Sequence, residues 1–201
     1  MMILRSSPAS PFGRKVEIAA KLLGLFDRLK VESADTTDPK DSLRQQNPLG
    51  KIPALILDDG TTLFDSRVIA EYLDQLAGGG VIFPRNSARW PVLTQAALAD
   101  GVMEASLLLV YEKRLRPEAT WSAKWMETQQ GKIDRGLAVL EANPPKLVSP
   151  PHIGQIGIAC ALGYLDLRFA GKWRATHPKL VAWLDTFAAA VPAFAETKAA
   201  S

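Results

Sequence analysis

The segment KIPALILDDGTTLFDSRVIAEYL, residues 51–73, determines how the first half of the chain folds. Two apolar runs, 54–57 and 61–64, lie on either side of Asp58-Asp59-Gly60. An Asp-Gly turn between apolar runs is a strong signal for a β-hairpin. The pair Asp65-Ser66 then predicts a helix start, because a side-chain oxygen at that position accepts from unpaired backbone N–H groups. The segment therefore predicts two strands followed by a helix.

The residues before this segment predict two more strands and two more helices. A short buried strand is expected at 2–4, and a helix begins at Ser10-Pro11 and stops at Gly24. A second strand is expected at 26–31 and a short helical piece at 42–46. The predicted order of the first half is βαβαββα.

Strand signals vanish from Trp90 onward, and long helical patterns replace them. Apolar residues at helical spacing predict helices around 92–110, 125–140, 156–167 and 180–191. The third of these is apolar nearly all round, which indicates a central helix that its neighbours bury. The chain therefore divides into an α/β domain of residues 1–78, a linker of residues 79–88 and an all-helical domain of residues 89–201.

Composition and charge narrow the classes of function. The chain is 47% hydrophobic and 22% charged, as in ordinary folded proteins. Its formal net charge is +3. The basic residues are spread along the chain without the clustered stripe of nucleic-acid binders, so a nucleic-acid partner is not expected. At most, this charge favours small anionic ligands.

Cysteine usage and hydropathy predict a cytoplasmic protein. The single cysteine, Cys160, permits neither an internal disulfide nor a C-x-x-C motif, so a reducing compartment is expected. Residues 1–10 lack the apolar run of a signal peptide, and no stretch approaches 18 uninterrupted apolar residues. No membrane association is expected.

Four stretches carry a resemblance to a known family: SPFGRKV at 10–16, NPLGKIPAL at 47–55, FDSRVIAEYL at 64–73 and IACALGYL at 158–165. In these the chain resembles bacterial glutathione transferases of the small, serine-bearing kind. The second and third blocks are specific at their mutual spacing. The resemblance implies a thioredoxin-like N-terminal domain, an all-helical C-terminal bundle, glutathione as co-substrate, no metal and a homodimer.

The resemblance also implies where glutathione binds. Pro53 corresponds to the family's cis-proline, which turns the backbone of Ile52 toward the cysteinyl part of the peptide. Asp65 and Ser66 correspond to the pair that holds the γ-glutamyl end, because a helix N-terminus offers N–H groups and positive potential. Lys51 is a candidate partner for the glycyl carboxylate, with a solvated surface lysine as the alternative.

The thiol of glutathione needs a group that stabilises its anion, because a free thiol with a pKa of about 8.5 is mostly protonated at neutral pH. A hydroxyl at the start of the first helix supplies a hydrogen bond and a favourable helix potential. Ser10 is the first candidate for this catalytic role, Ser7 the second and Ser6 the third. A plain helix cap is the alternative for Ser10, and some family members use mainly backbone N–H groups.

The second substrate is expected in the cleft between the domains. The candidate residues of its wall are Phe12, Tyr111, Arg114 and Trp121. Asp100 lies on the first C-terminal helix, where related dimers reach the glutathione of the neighbouring subunit; a solvated helix face is the alternative. His152 and His177 lie in separate segments without a metal-ligand pattern, and Cys160 is expected to be packing.

Three functions remain open on these residues. The first is transfer of the glutathione thiolate to a small hydrophobic electrophile. The second uses the same site to reduce disulfides through a mixed disulfide. The third is a noncatalytic glutathione-binding or interaction module.

Overall fold

The computed structural model describes residues 1–199 and confirms the order βαβαββα for the first half. Its elements are β1 (Met2–Ser6), α1 (Pro11–Leu22), β2 (Leu29–Ser33), α2 (Leu43–Gln46), β3 (Ala54–Ile56), β4 (Thr62–Phe64) and α3 (Ser66–Leu76). The strands form one mixed sheet in the order β2-β1-β3-β4. β1 pairs parallel with β2 and antiparallel with β3, which is the arrangement of a thioredoxin-like domain.

The sheet is covered on both faces by helices. α1 and α3 bury a cluster against it that includes Val16, Ile69 and Leu73, together with Leu4 and Leu55 of the strands. α2 is held by a smaller cluster that contains Leu43 and Ala54. The end of β1, the start of β3 and the end of β4 lie side by side, because Arg5 is opposite Ala54 and Ala54 is opposite Phe64. The helix starts at Ser10 and Asp65, which follow β1 and β4, therefore lie at one end of the sheet, next to the loop that precedes β3.

The second strand begins three residues later than its apolar pattern predicts. Residues Phe26–Arg28 form a turn of 3-10 helix, and β2 spans Leu29–Ser33. Pairing with β1 sets this start, because Met2 lies opposite Leu29 and Ser6 opposite Ser33. Tertiary pairing here overrides local propensity.

The second half is entirely helical in the residues described. Its helices are α4 (Arg89–Leu115), α5 (Ala123–Ala142), α6 (Ile153–Phe169), α7 (Pro178–Ala190) and α8 (Pro192–Glu196). α6 is the central helix, as its pattern predicts, and twelve of its residues are buried. Small residues let it approach α4 closely, since a Cβ added at Gly157 would lie 3.1 Å from the Ala99 side chain.

The segment between α3 and α4 is fixed to both domains. The buried carboxylate of Asp74 accepts hydrogen bonds from the N–H groups of Gly80, Val81 and Ile82 at 2.7–3.0 Å. The carbonyl of Ile82 in turn accepts from the N–H of Ile153 at the start of α6. The two domains are therefore tied together where the chain passes from one to the other.

Among residues 1–199, α4 alone is long and apolar enough to cross a membrane by length and composition. Half of its most apolar window is buried inside the protein. This burial is that of a core helix, and α4 packs on α5 and α6.

Candidate functional site

A cleft of about 760 Å³ lies between the two domains. Its N-terminal wall comes from the starts of α1 and α3 and from the loops before α2 and β3. Its C-terminal wall comes from the last turns of α4 and α6. The residues predicted for the site that line it are Ser7, Ser10, Phe12, Lys51, Ile52, Pro53, Asp65, Ser66, Tyr111 and Arg114.

Ser10 is the N-cap of α1, and its hydroxyl oxygen accepts from the N–H of Gly13 at 3.1 Å. The hydroxyl proton of Ser10 stays available as a donor to the cleft. Ser7 is half-buried, and its carbonyl accepts from the N–H of Ser10 at 2.8 Å. Both hydroxyls therefore lie at the helix start, on the side that faces the cleft.

Ser6, the third candidate for the catalytic hydroxyl, is excluded. It is 1% exposed and does not line the cleft. Its hydroxyl lies under the first turn of α1, where a Cβ added at Gly13 would come within 2.0 Å of it. Ser6 therefore belongs to the packing between β1 and α1.

The peptide bond between Ile52 and Pro53 is cis, which confirms the prediction for Pro53. Within residues 1–199, no backbone group forms a hydrogen bond with the N–H or C=O of Ile52. The preceding loop is braced by Asn47, whose amide donates to the carbonyl of Lys51 at 2.8 Å and accepts from the N–H of Leu49 at 3.0 Å. Lys51 itself is exposed at the edge of the cleft.

The start of α3 supplies a second set of polar groups. Asp65 has φ 71°, which is uncommon for a residue other than glycine, and its carboxylate accepts from the N–H of Arg67 at 2.9 Å. The N–H and the hydroxyl of Ser66 have no hydrogen-bond partner in the part of the chain that the structure describes. A helix N-terminus with unused donors is suited to an anion such as a carboxylate.

Arg67 is a site residue that sequence reasoning missed. Its guanidinium lies 3.3 Å from Asp65, 3.3 Å from Glu104 and 3.5 Å from Asp100. Partial burial opposes its charge, but these three carboxylates together raise the pKa of Arg67. Arg67 therefore links the start of α3 to the face of α4.

Asp100 is not on a solvated helix face, so that alternative is wrong. It is 1% exposed, and its carboxylate lies 2.6 Å from the ammonium of Lys15 on α1. Lys15 is equally buried, so this ion pair crosses the domain interface inside the protein. The exposed carboxylate on this part of α4 is Glu104. A contact of Asp100 with glutathione of a neighbouring subunit stays a prediction.

Trp121 does not line the cleft, which corrects its assignment to the second-substrate wall. α4 ends at Leu115, the last residue of this segment to line the cleft, and the chain then turns through Glu118–Thr120. The indole N–H of Trp121 donates to the carbonyl of Arg116 at 3.0 Å. Trp121 thus closes the turn between α4 and α5.

The C-terminal wall contains further residues that the sequence did not reveal, namely Leu107, Val110, Leu115, Tyr164 and Arg168. The α4 residues recur at helical spacing around Tyr111 and Arg114, and the two α6 residues are separated by one turn. Burial raises the pKa of the Tyr164 phenol, and Arg168 opposes this by charge and hydrogen bonding. The phenol is therefore protonated and able to donate at neutral pH.

Cys160 lies outside the cleft, and no metal cluster accompanies the site. Complete burial raises the pKa of the Cys160 thiol to about 12, which makes it inert and consistent with packing. Within the described residues 1–199, no group of three or more His, Cys, Asp or Glu side chains could hold a metal ion.

Comparison with known proteins identifies the family. Residues 9–76 match the glutathione S-transferase N-terminal domain, and residues 123–186 match the C-terminal domain of the same family. The GST-like protein YibF of Escherichia coli is 36% identical over 185 residues, which cover 90% of each chain. The chain belongs to the glutathione S-transferase family.

Solved structures of the family support the comparison over the whole chain. A glutathione transferase family member from Pseudomonas fluorescens Pf-5 with bound glutathione is 44% identical and has a TM-score of 0.93, with 100% of each chain covered. A second structure from that organism holds S-(propanoic acid)-glutathione, at 43% identity, a TM-score of 0.88 and 100% coverage of each chain. These relatives bind glutathione or a conjugate of it.

Proposed function

We propose that this family member binds glutathione along the N-terminal wall of the cleft and transfers its thiolate to a small electrophile held by the C-terminal wall. One observation supports this most directly: unused donors of three separate elements face one cleft. They are the backbone of Ile52, the N–H and hydroxyl of Ser66, and the hydroxyls at the start of α1. Their spacing along one wall suits an extended tripeptide anion.

In this proposal each part of the tripeptide has a partner. The γ-glutamyl carboxylate accepts from Ser66 at the start of α3, and Asp65 attracts the γ-glutamyl ammonium. The backbone of Ile52 pairs with the cysteinyl residue. Lys51 offers a positive charge to the glycyl carboxylate.

The thiol then lies at the start of α1, where Ser10 donates a hydrogen bond to the sulfur. A hydroxyl donor and the helix potential together lower a thiol pKa by about one or two units, or about 1.4 to 2.7 kcal/mol. Ser7 is the reserve donor. The thiolate attacks the electrophilic carbon while both substrates are held together, which removes the entropic cost of their encounter.

Reduction of disulfides in the same cleft is the second candidate reaction, and assays with an aryl halide and a disulfide separate it from thiolate transfer. A protein thiol cannot take part, because the one cysteine of the chain is buried outside the cleft. A mixed disulfide would therefore have to form on glutathione itself and be released by a second glutathione. A module that binds glutathione without either reaction is the third outcome.

Calorimetry with millimolar reduced glutathione tests the binding step, and an aryl halide and a hydroxyalkyl disulfide test the two reactions. We expect saturable binding and turnover of the aryl halide. Ser10→Ala should lower the rate about tenfold and raise the pKa of the bound thiol, since one charge-assisted hydrogen bond is lost. Ser87→Ala, an exposed serine outside the cleft, is the control.

The outcomes separate the candidates. Full activity of Ser10→Ala with loss in Ser7→Ala would transfer the catalytic role to Ser7. Turnover of the disulfide alone would favour the reductase. Binding without either reaction would favour the noncatalytic module, and no binding by folded protein would end the proposal.

We further propose that the protein acts as a cytoplasmic homodimer joined through α3 and α4. α4 exposes apolar and small residues at helical spacing, among them Trp90, Ala97 and Leu108, and α3 exposes Val68. Trp90 is 71% exposed, which is unusual for so large an apolar side chain. Light scattering after size exclusion should give twice the 21.8 kDa chain mass, and Trp90→Glu should shift this toward the monomer.

A further inference from the structure

Two arginines lie where α4 and α6 end at the cleft, a region called the acceptor end below, and neither has an acidic partner among residues 1–199. Arg114 lies in the last turn of α4 and Arg168 in the last turn of α6, and both line the cleft. Neither forms a salt bridge with any of residues 1–199. Arg67, by contrast, has three carboxylates within 3.5 Å. The acceptor end thus carries positive charge that the described chain does not neutralise.

The acidic residues of the cleft have partners other than Arg114 and Arg168. Asp65 and Glu104 both face Arg67. Asp35 lies on the opposite wall, and its carboxylate accepts from the N–H and hydroxyl of Thr37 at 2.8 and 2.6 Å. These hydrogen bonds, with a smaller effect of Arg114, lower the pKa of Asp35, so it is ionised but forms no ion pair. At this end Arg114 and Arg168 therefore face a single carboxylate, that of Asp35, which already accepts hydrogen bonds from Thr37.

The surroundings favour an aromatic or alkyl body next to the charge. Phe12, Leu107, Val110 and Tyr111 line the same region. Cations at helix C-termini also complement the helix dipole, which accounts for arginine in these last turns. It does not account for both side chains lining one cleft beside a protonated phenol, that of Tyr164.

We propose that the electrophile accepted by this protein carries an anionic group, a carboxylate, on an apolar or aromatic body. The inference rests on the proposed function, because it concerns the second substrate of the same site. Arg114 and Arg168 bind the carboxylate and hold the electrophilic carbon toward the start of α1. They also offset the repulsion between the acceptor and the thiolate.

With a carboxylated aryl halide, the reaction balances without any further reactant. The glutathione thiol releases its proton to solvent, and the thiolate sulfur forms a bond to the ring carbon that carries chlorine. The carbon–chlorine bond then breaks, and chloride leaves with its electron pair. The carboxylate remains unchanged on the thioether product.

The test compares 4-chloro-3-nitrobenzoate with its methyl ester, which has the same reacting carbon without the charge. Each kcat/KM is divided by the uncatalysed rate constant, because the ester activates the ring more strongly. We expect the ratio of benzoate to ester to favour the benzoate about tenfold, the effect of one charge-assisted contact. Added salt should reduce the ratio, since both arginines reach solvent.

Substitutions of the two arginines localise the effect. Arg114→Gln and Arg168→Gln should each lower the benzoate-to-ester ratio about threefold to tenfold. Arg135→Gln is the matched control, because Arg135 is exposed on α5 and does not line the cleft. A ratio that favours the ester, or that is the same in all variants, would overturn the inference.

Calorimetry gives a readout that does not depend on catalysis. The thioether products of the two acceptors are each titrated into the protein, and glutathione is titrated in a separate experiment. Tighter binding of the carboxylated product, lost in Arg114→Gln and Arg168→Gln, supports the inference. Equal binding of the two products while glutathione still binds overturns the inference and leaves the proposed function standing. If glutathione and both products fail to bind, the proposed function falls and the inference falls with it.

Discussion

The N-terminal wall of the cleft presents backbone groups and helix starts, whereas the C-terminal wall presents side chains of α4 and α6. The first wall is made of Ile52, of Ser66 and of the turn that ends in Ser10, each placed by its own short segment. The second is made of residues such as Leu107 of α4 and Tyr164 of α6, which are far apart in the sequence and meet only through helix packing. A wall of backbone groups suits a constant ligand, and a wall of side chains suits a variable one.

The buried pair of Lys15 and Asp100 joins the two walls, and its removal is expected to have the largest effect. Asp100→Asn leaves the Lys15 ammonium at 1% exposure without a carboxylate partner. Loss of one partner of a buried pair costs about 3 to 5 kcal/mol. The free energy of unfolding from urea titration should fall by that amount.

Glu196→Gln is the control for this prediction. Lys21 lies on α1, as Lys15 does, and its ammonium is 2.8 Å from the carboxylate of Glu196 in an exposed pair. The variant removes this carboxylate. Such pairs contribute about 0 to 1 kcal/mol. Equal losses of unfolding free energy in Asp100→Asn and Glu196→Gln would show that the buried pair does not join the walls. The double variant Lys15→Met with Asp100→Leu should recover much of the loss, because no unpaired charge stays buried.

Ser66→Ala should affect the N-terminal wall alone. In the proposed binding mode it removes one hydrogen bond to the γ-glutamyl carboxylate, and a bond to a charged group contributes about 1.5 to 3 kcal/mol. The Kd for glutathione should rise about tenfold to a hundredfold, while the KM for the acceptor changes little. Ser87→Ala, exposed and outside the cleft, should leave both constants as they are. A Kd that Ser66→Ala does not change would remove Ser66 from the site.

Leu107→Ala should show the opposite pattern. Leu107 is half-buried in the C-terminal wall, and in the proposed function its truncation removes apolar contact with the acceptor. The KM for an aryl acceptor should rise about threefold to tenfold, while calorimetry shows the same affinity for glutathione. Val139→Ala, 60% exposed on α5, is the control. Equal changes for glutathione and the acceptor would contradict the division into two walls.

The smallest effect is expected at the start of α6, the helix that carries Tyr164. His152 caps α6, and its Nδ1 accepts from the N–H of Gln155 at 3.3 Å. Burial lowers the pKa of His152 below its ordinary 6.5. The unfolded chain therefore binds the proton more readily, so stability should fall as the pH drops below about 6.5.

His152→Ser keeps a cap and removes this titration. The acid-induced loss amounts to about 1.4 kcal/mol for each unit by which burial lowers the pKa of His152. Unfolding free energies at two values of pH, one neutral and one mildly acidic, should differ less in His152→Ser than in the wild type. His177→Gln should keep the wild-type difference. The same difference in all three proteins would show that His152 does not titrate as described.

Local signals in the sequence predicted the N-terminal wall well. The Asp58-Asp59-Gly60 turn, the Ser10-Pro11 helix start and the Asp65-Ser66 cap each depend on neighbours within a few residues, so their structure can be read from short segments. The structure has a β-turn and two helix starts at these places. The cis bond before Pro53 came from resemblance to the family and is confirmed.

Long-range packing decided where prediction failed. Trp121 was assigned to the cleft because it is aromatic and near the end of α4, but the direction in which the chain leaves Leu115 turns it away. Asp100 reads as a surface residue of an amphipathic helix until Lys15, 85 positions away, is seen to pair with it. Arg67 was overlooked because two of its three partners lie on α4.

By itself, the sequence determined the order of the elements, the family and the groups of the N-terminal wall, since caps, turns and a proline bond are set by residues adjacent in the chain. Only the tertiary structure decided which side chains of α4 and α6 share a cleft, that Lys15 and Asp100 are buried against each other, and that Arg114 and Arg168 have no acidic partner among residues 1–199. These depend on how helices far apart in sequence pack together, and packing is a property of the whole core.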